Sequence, residues 1–285
     1  MPAAPDTAAR PAWSTALIPA FLVCAAAVAF FGVQIPWAGY LLLGAGMLVA
    51  LALGTGSLAE RVTGPGPNLV RDLGLIALGM LIVSSIPLKA ELDNFAMLRF
   101  TLALGGAVVV PYLLSRFAFG DYATRFPWRG GGRWTRFQWA WLVAVLVLGW
   151  LILPFYFITS GVYMNWPVVD SPELIARLFV GVGAVGIWDE LFFICTVLAL
   201  LRRHFPMWQA NILQAIVFVS FLWELGYQAW GPLLTIPFAL LQGYIFVRTR
   251  SLAYVVTVHL LFDAVVFLVL VHAHNPGALD GLFLV

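Results

Sequence analysis

The sequence predicts an all-α fold: a polytopic transmembrane helical bundle of about nine spans, with eight as the alternative, oriented N-in/C-out. Composition is the first reason, because 62% of the 285 residues are hydrophobic and only 10% are charged. An ordinary soluble domain holds about 25% charged residues. The apolar residues also form long runs, not the alternating ten-residue segments of a β-barrel. The third reason is the distribution of arginines between those runs.

Nine hydrophobic runs are candidate spans, and we assign residues 1–285 to a single integral membrane domain. The first run is expected to be a retained helix because no convincing signal cleavage site follows it. The eighth is short and contains Pro237, so we expect it to be bent, tilted or only partly inserted. In chain order the predicted spans are Thr15–Val33, Trp37–Leu53, Leu73–Leu88, Phe95–Leu114, Trp139–Phe157, Leu174–Leu201, Trp208–Leu225, Leu233–Val247 and Leu252–Val271.

The positive charges support this count and its orientation. With nine spans, 12 of the 15 lysines and arginines fall in segments on the inner side, and only Lys89, Arg99 and Arg177 fall outside. This bias is typical of cytoplasmic loops. The inner loop Arg116–Arg136 is expected to anchor the chain at anionic headgroups, with partner docking as the alternative. The outer segment Ile158–Pro172 is expected to lie along the membrane surface.

Acidic residues inside the spans are the strongest functional signal. Asp189 and Glu190 lie side by side in the sixth span, where charged groups cost several kcal/mol and are rarely kept for structure alone. His259 and Asp263 are four residues apart in the last span, so they share one helix face. Neighbours on a helix differ by about 100° of rotation, so only one of the two acids is expected to point at that face. A plain helix-to-helix contact is the alternative role for each pair.

Glu224 is a further candidate, in the seventh span. It lies beside aromatic residues that are typical of a membrane interface, so plain solvation there is the alternative. The spans contain no His-Glu-x-x-His pattern and only one intramembrane histidine, so we expect neither a metal nor another cofactor.

At these residues the sequence resembles the CPBP family of intramembrane endopeptidases, which includes the type II CAAX prenyl proteases and bacteriocin-processing or immunity proteins. The family's third motif, His-x-x-x-Asn/Asp, is matched by His259 and Asp263. Its first motif, Glu-Glu-x-x-x-Arg, is degenerate here, because Asp189-Glu190 is followed by Ile194 at the arginine position. Glu190 is therefore expected to lack its usual countercharge.

The second motif of the family is degenerate as well. It reads Phe-x-x-x-His, and here Phe218 is followed at that spacing by Leu222. The lead-in from Gln242 to Leu252 is similar to the family's approach to its third motif. The resemblance covers residues 174–271, and residues 1–173 are additional N-terminal helices.

The resemblance implies an endopeptidase that hydrolyses peptide bonds of membrane-associated substrates with carboxylate-activated water. It implies that Asp189 occupies the general-base position beside Glu190. His259 and Asp263 would stabilise the oxyanion. Glu224 is a candidate to replace the missing histidine, although it lies about 200° round the helix from Leu222.

Two other functions stay open. The missing arginine and histidine are compatible with a catalytically inactive relative that binds hydrophobic peptides or partner helices. Buried carboxylates and a histidine could also form the relay of a proton-coupled transporter. The expected partners are the lipid bilayer and a membrane-embedded or lipidated peptide, with no nucleic acid. Arginine outnumbers lysine fourteen to one, so we expect a GC-rich bacterial genome and the bacterial cytoplasmic membrane.

Overall fold

A computed structural model of the protein describes residues 14–54, 66–130 and 132–285. All regular structure in these ranges is helical, so the predicted all-α bundle is confirmed. A short 3-10 turn, Val162–Asn165, lies between the fifth and sixth helices. The helices, numbered in chain order, are α1 (Leu17–Gly32), α2 (Pro36–Leu53), α3 (Leu69–Val83), α4 (Asn94–Ala118), α5 (Arg136–Thr159), α6 (Pro172–Leu201), α7 (Met207–Leu225), α8 (Pro232–Thr249) and α9 (Leu252–His274).

Among the described residues, five helices are long and apolar enough to cross a membrane: α2, α4, α5, α6 and α9. Helix α1 is a shorter apolar helix. Helices α7 and α8 have 19 and 18 residues but contain buried polar side chains such as Gln214 and Gln242. The chain is an integral membrane protein. The nine-span count and the orientation stay predictions, and Arg10 and Arg61 of the inner group lie outside the described residues.

Helix α3 departs most from its predicted bounds, because it runs from Leu69 to Val83 and not from Leu73 to Leu88. Asn68 caps it by accepting a hydrogen bond from the Arg71 backbone N–H at 3.1 Å. The prediction left Arg71 and Asp72 outside the span because unpaired charges are costly in an apolar environment. The structure keeps both side chains buried inside the helix because each has an oppositely charged partner.

Together with those partners, Arg71 and Asp72 form a largely buried ion network. We call it the inner clamp, and it consists of Arg71, Asp72, Asp121, Arg203 and His204. Arg71 pairs with Asp121 at 2.6 Å, and Arg203 bridges Asp121 at 2.8 Å and Asp72 at 3.0 Å. His204 Nε2 lies 2.7 Å from Asp72 Oδ2. The clamp joins the start of α3, the loop after α4 and the segment after α6 at one end of the bundle.

Helices α6 and α9 form the centre of the bundle. In the most apolar 18-residue stretch of each helix, 72% of the residues of α6 and 61% of those of α9 are buried. The same share is 22% for α2 and 28% for α4. Helix α9 packs against α5, α6 and α8, while α6 contacts α4 and α7. The Trp188 indole N–H of α6 donates to the Leu104 carbonyl of α4 at 2.7 Å. Functional side chains on α6 and α9 are thereby shielded from lipid by their neighbours.

The middle of α6 changes its winding. Residues Glu190–Leu198 are π-helical, and Thr196 Oγ1 accordingly donates to the carbonyl of Leu191, five residues earlier. Such i→i+5 segments are rare and occur frequently at functional sites. Because each turn holds more residues here, Ile194 no longer lies directly one turn from Glu190 as it would in an α-helix.

The loop between α4 and α5 supports the helix that carries His259. The carbonyl of Pro127 accepts the backbone N–H of Leu252 at 3.0 Å, and that of Trp128 accepts the N–H of Ala253 at 3.3 Å. The first N–H groups of a helix have no partner inside it, so the loop satisfies part of the N-terminus of α9. The segment predicted as a membrane anchor therefore also has a structural role.

We predict that Asp72→Asn destabilises the fold by about 1–3 kcal/mol, because it replaces the buried carboxylate that contacts Arg203 and His204, while Arg203 keeps its second partner Asp121. Thermal unfolding of the purified protein in nanodiscs measures this change. The matched control is Glu173→Gln, which breaks an ion pair with Arg177 whose glutamate is 74% exposed. Exposed pairs contribute little, so the control should unfold like the parent. Equal melting temperatures for the two variants would contradict a stabilising clamp.

Candidate active site

The structure brings four of the predicted residues together in the middle of the bundle. Asp189 ends the α-helical part of α6, and Glu190 begins its π-helical part. His259 and Asp263 lie one turn apart on the facing side of α9. All four side chains are buried.

The imidazole of His259 lies between three carboxyl groups. Its Nδ1 lies 2.8 Å from Glu190 Oε1. On the other side of the ring, Nε2 lies 3.6 Å from Asp189 Oδ2 and 3.8 Å from Asp263 Oδ1. Both adjacent acids therefore reach the histidine, which differs from the expectation that only one would. The reason is that the ring presents a nitrogen on each side, so groups separated by a large helical rotation can both contact it.

Glu190 has partners in place of the missing arginine. Besides His259, the side chain amide of Gln242 in α8 donates to Glu190 Oε1 at 2.7 Å. The same nitrogen donates to the carbonyl of Val255 at 3.1 Å. Ile194, at the motif's arginine position, is instead fully buried in the hydrophobic core. In the sequence Gln242 stands out only as part of the segment before the third motif. Its contact with Glu190 could not be predicted, because the two residues are 52 positions apart.

Gly186 allows α9 to approach α6 at the site. A Cβ atom at this position would lie 2.0 Å from Asp263 Oδ2. Small residues at such contacts let membrane helices pack closely. A signal for this role was present in the sequence, because Gly186 precedes Asp189 and Glu190 by three and four residues and thus shares their helix face.

Asp189, His259 and Asp263 line a cavity of about 340 Å³ between α4, α6 and α9. Glu190 is not among the described residues that line it, so it contacts the cavity only through His259. Trp166 and Tyr227 form part of the wall. The indole of Trp166, in the outer segment Ile158–Pro172, is inserted into the bundle, and the expected place of that segment along the membrane surface stays a prediction. Apolar lining residues include Phe100, Leu104, Leu178, Val182 and Val185.

Leu222, the residue at the motif's histidine position, also lines this cavity. It borders a smaller pocket together with His259 and Asp263. The degenerate second motif therefore places an apolar side chain beside the polar cluster. The position is the one the resemblance implies, but a proton acceptor is missing there.

Glu224 is not brought into this cluster. Its Oε1 accepts the backbone N–H of Leu88 at 3.2 Å, which ties the end of α7 to the segment after α3. It is not among the described residues that line the cavity. The half-buried carboxylate therefore has a local structural partner in place of the aromatic interface environment that the sequence suggested.

Residues 171–265 match the family described as Rce1-like, type II CAAX prenyl endopeptidase Rce1-like. The segment is similar to this family, and we call it the Rce1-like domain. It spans one third of the chain and contains α6, α7, α8 and the part of α9 that carries His259 and Asp263. The resemblance to the CPBP membrane proteases is confirmed over this segment. No curated protein and no solved structure is significantly similar to the chain.

We predict that Gly186→Ala destabilises the Rce1-like domain by about 1–3 kcal/mol, because its methyl group overlaps the Asp263 carboxylate. The matched control is Gly183→Ala on the same helix, where a Cβ would lie 4.0 Å from Leu260 and fits without displacement. Alanine favours a helix interior over glycine, so the control should be neutral or stabilising. Thermal unfolding of both variants decides, and equal stability would mean that α6 and α9 do not pack this closely.

Proposed function

We propose that this protein is an intramembrane endopeptidase that hydrolyses peptide bonds of membrane-associated substrates. The observation that supports it is the convergence of Asp189, His259 and Asp263 on one largely apolar cavity of the Rce1-like domain. Peptide hydrolysis needs a base for water and donors for the oxyanion. These three side chains offer both within 4 Å of a single ring nitrogen.

The charges around His259 assign the roles. Asp189 and Asp263 both face Nε2, and two close carboxylates in an apolar site cannot both stay ionised easily. One carboxylate and one carboxylic acid is the stable combination. Asp189 Oδ1 and Asp263 Oδ2 are both buried without a hydrogen-bond partner among the described residues, so the free oxygens do not choose between the two acids. We assign Asp189 as the base because it occupies the general-base position that the family resemblance implies. Asp263 is then the protonated acid and a hydrogen-bond donor.

The reaction follows from these roles. Asp189 takes a proton from a water molecule, and the resulting hydroxide attacks the carbonyl carbon of the scissile peptide bond. The N–H at Nε2 of His259 and the hydroxyl of Asp263 hold the oxygen that becomes negative. When the tetrahedral intermediate collapses, Asp189 returns its proton to the leaving amine. The products are a carboxylic acid and an amine, and the site regains its starting protons.

The surroundings of the cavity support a membrane-embedded or lipidated peptide as substrate. Its walls are mainly apolar side chains from α4 and α6, which would receive a hydrophobic segment more readily than a polar one. The arginine bias supports a place in a bacterial cytoplasmic membrane, with the inner clamp toward the cytoplasm.

A second candidate is an inactive relative that binds hydrophobic peptides in the same cavity. Leu222 favours it, because an apolar side chain stands in the cavity wall where the family motif has a histidine. The sequence also left a proton-coupled transporter open. Among the described residues no observation favours transport, and the matched family is a protease family.

We predict that the full-length protein in nanodiscs cleaves members of a panel of membrane-anchored peptides, prenylated ones included. Asp189→Asn and His259→Ala should lower kcat by about a hundredfold or more, as expected for loss of a base or an oxyanion donor. The control is Asp170→Asn, which alters an exposed acid outside the helices. Binding without cleavage by the parent would support the inactive relative, and cleavage that survives both site substitutions would contradict the assigned roles.

We also predict that Leu222→His raises kcat by about tenfold or more, because it places a proton acceptor beside His259 and Asp263. Leu225→His is the matched control, since Leu225 lines the same cavity but not the smaller pocket beside the cluster. The comparison uses the same peptides and nanodiscs. If Leu222→His is no faster than Leu225→His, residue 222 does not face the reacting group.

A further inference from the structure

We propose that Gln242 is a positioning residue that replaces the motif's missing arginine from a different helix. It holds the Glu190 carboxylate as a hydrogen-bond acceptor, so that His259 Nδ1 donates to Glu190 and Nε2 is presented to the cavity. This inference rests on the proposed peptidase function. It assigns a role to a side chain that belongs to none of the three motifs.

The orientation of the Gln242 amide is determined by its two partners. Its NH₂ group contacts Glu190 Oε1 at 2.7 Å and the Val255 carbonyl at 3.1 Å. The Val255 carbonyl can only accept, so the atom that faces both partners must be the amide nitrogen. A flipped amide would place its oxygen against two oxygens. Gln242 therefore donates to Glu190 Oε1.

The orientation of Gln242 determines the role of the next group. Glu190 Oε1 accepts from Gln242 and lies 2.8 Å from His259 Nδ1, so the same oxygen also accepts an N–H from the ring. With a proton on Nδ1, the other nitrogen faces Asp189 and Asp263. The Asp189 carboxylate favours a second proton at Nε2, and that N–H is the donor that the proposed reaction uses.

The fold holds Gln242 at this depth. Its neighbour Gly243 lies against α7, where a Cβ atom would be 2.0 Å from Asn211 Oδ1. Asn211 in turn donates to the Leu240 carbonyl of α8 at 2.8 Å. Gln242 itself is 1% exposed. The amide therefore has little freedom to leave Glu190. It donates to one oxygen of a buried carboxylate without adding a charge, while Glu190 Oε2 has no hydrogen-bond partner among the described residues.

The test compares Gln242→Leu with a matched control, Gln214→Leu. Gln214 is also fully buried and bridges α7 to α8 by donating to the Ala239 carbonyl at 3.0 Å, and its Oε1 also has no partner among the described residues. Its amide also donates to Asn211 Oδ1 at 3.3 Å, but none of its described hydrogen bonds reaches Glu190, His259, Asp189 or Asp263. Both substitutions thus remove the same interhelical amide, but only one removes the donor to Glu190.

Two measurements on the full chain in nanodiscs decide the proposal. We expect kcat of Gln242→Leu to fall about thirtyfold with KM nearly unchanged, while Gln214→Leu stays close to the parent. Nitrogen-15 NMR of labelled histidine should show the Nδ1 signal of His259 moving from that of a protonated nitrogen toward an unprotonated one, only in Gln242→Leu. A pair of variants with equal kcat, or with equal His259 signals, would overturn it.

The two proposals can fail separately. If the parent cleaves no peptide in the panel, the proposed function fails, and the nitrogen signals alone then decide whether Gln242 sets the proton at Nδ1. If the parent cleaves and Gln242→Leu cleaves as fast, the peptidase stands and the positioning role is overturned.

Discussion

The hydrogen bond between His259 Nδ1 and Glu190 is the contact on which the other features of the site depend. It joins α6 and α9, the two most buried of the five candidate spans among the described residues, at the level of their polar residues. A carboxylate in such an apolar environment is costly unless its oxygens have donors. His259 and Gln242 both contact Glu190 Oε1, and their geometry also decides which ring nitrogen faces the cavity. Stability and the orientation of the candidate catalytic group thus have the same cause.

Close approach of the helices is the second condition. Between membrane helices the hydrophobic effect contributes little, so packing and interhelical hydrogen bonds hold them together. Gly186 removes the side chain that would keep α9 away from α6, and Gly243 does the same between α8 and α7. At one end, the inner clamp ties α3 to the segment after α6, and the α4–α5 loop caps α9. The helices that carry the site are therefore held in place by close packing, by the inner clamp and by the capped N-terminus of α9.

The departures from the predicted pattern have identifiable physical reasons. Hydropathy excluded Arg71 and Asp72 from α3. A hydropathy average over neighbouring residues contains no information about ion-pair partners from distant segments. The spacing of Asp189 and Glu190 suggested that one acid would point away from α9. Helical rotation alone does not show that the His259 ring presents a nitrogen to each of them. Glu190 lacks the motif's arginine as expected, because Ile194 is buried in the core, but spacing along α6 could not show that Gln242 and His259 contact it from other helices.

The sequence alone determined the helical class, the apolar runs and the pairing of an acidic span with a His-x-x-x-Asp span, because these depend on composition and on spacing within one helix. It also located the Rce1-like segment and the two degenerate motif positions. The tertiary structure decided which side chains meet. Gln242 reaches Glu190, Glu224 turns to Leu88, and Trp166 enters the cavity wall through contacts between distant helices and loops. The residue spacing within one hydrophobic run does not predict such contacts, because they depend on how the helices pack in three dimensions.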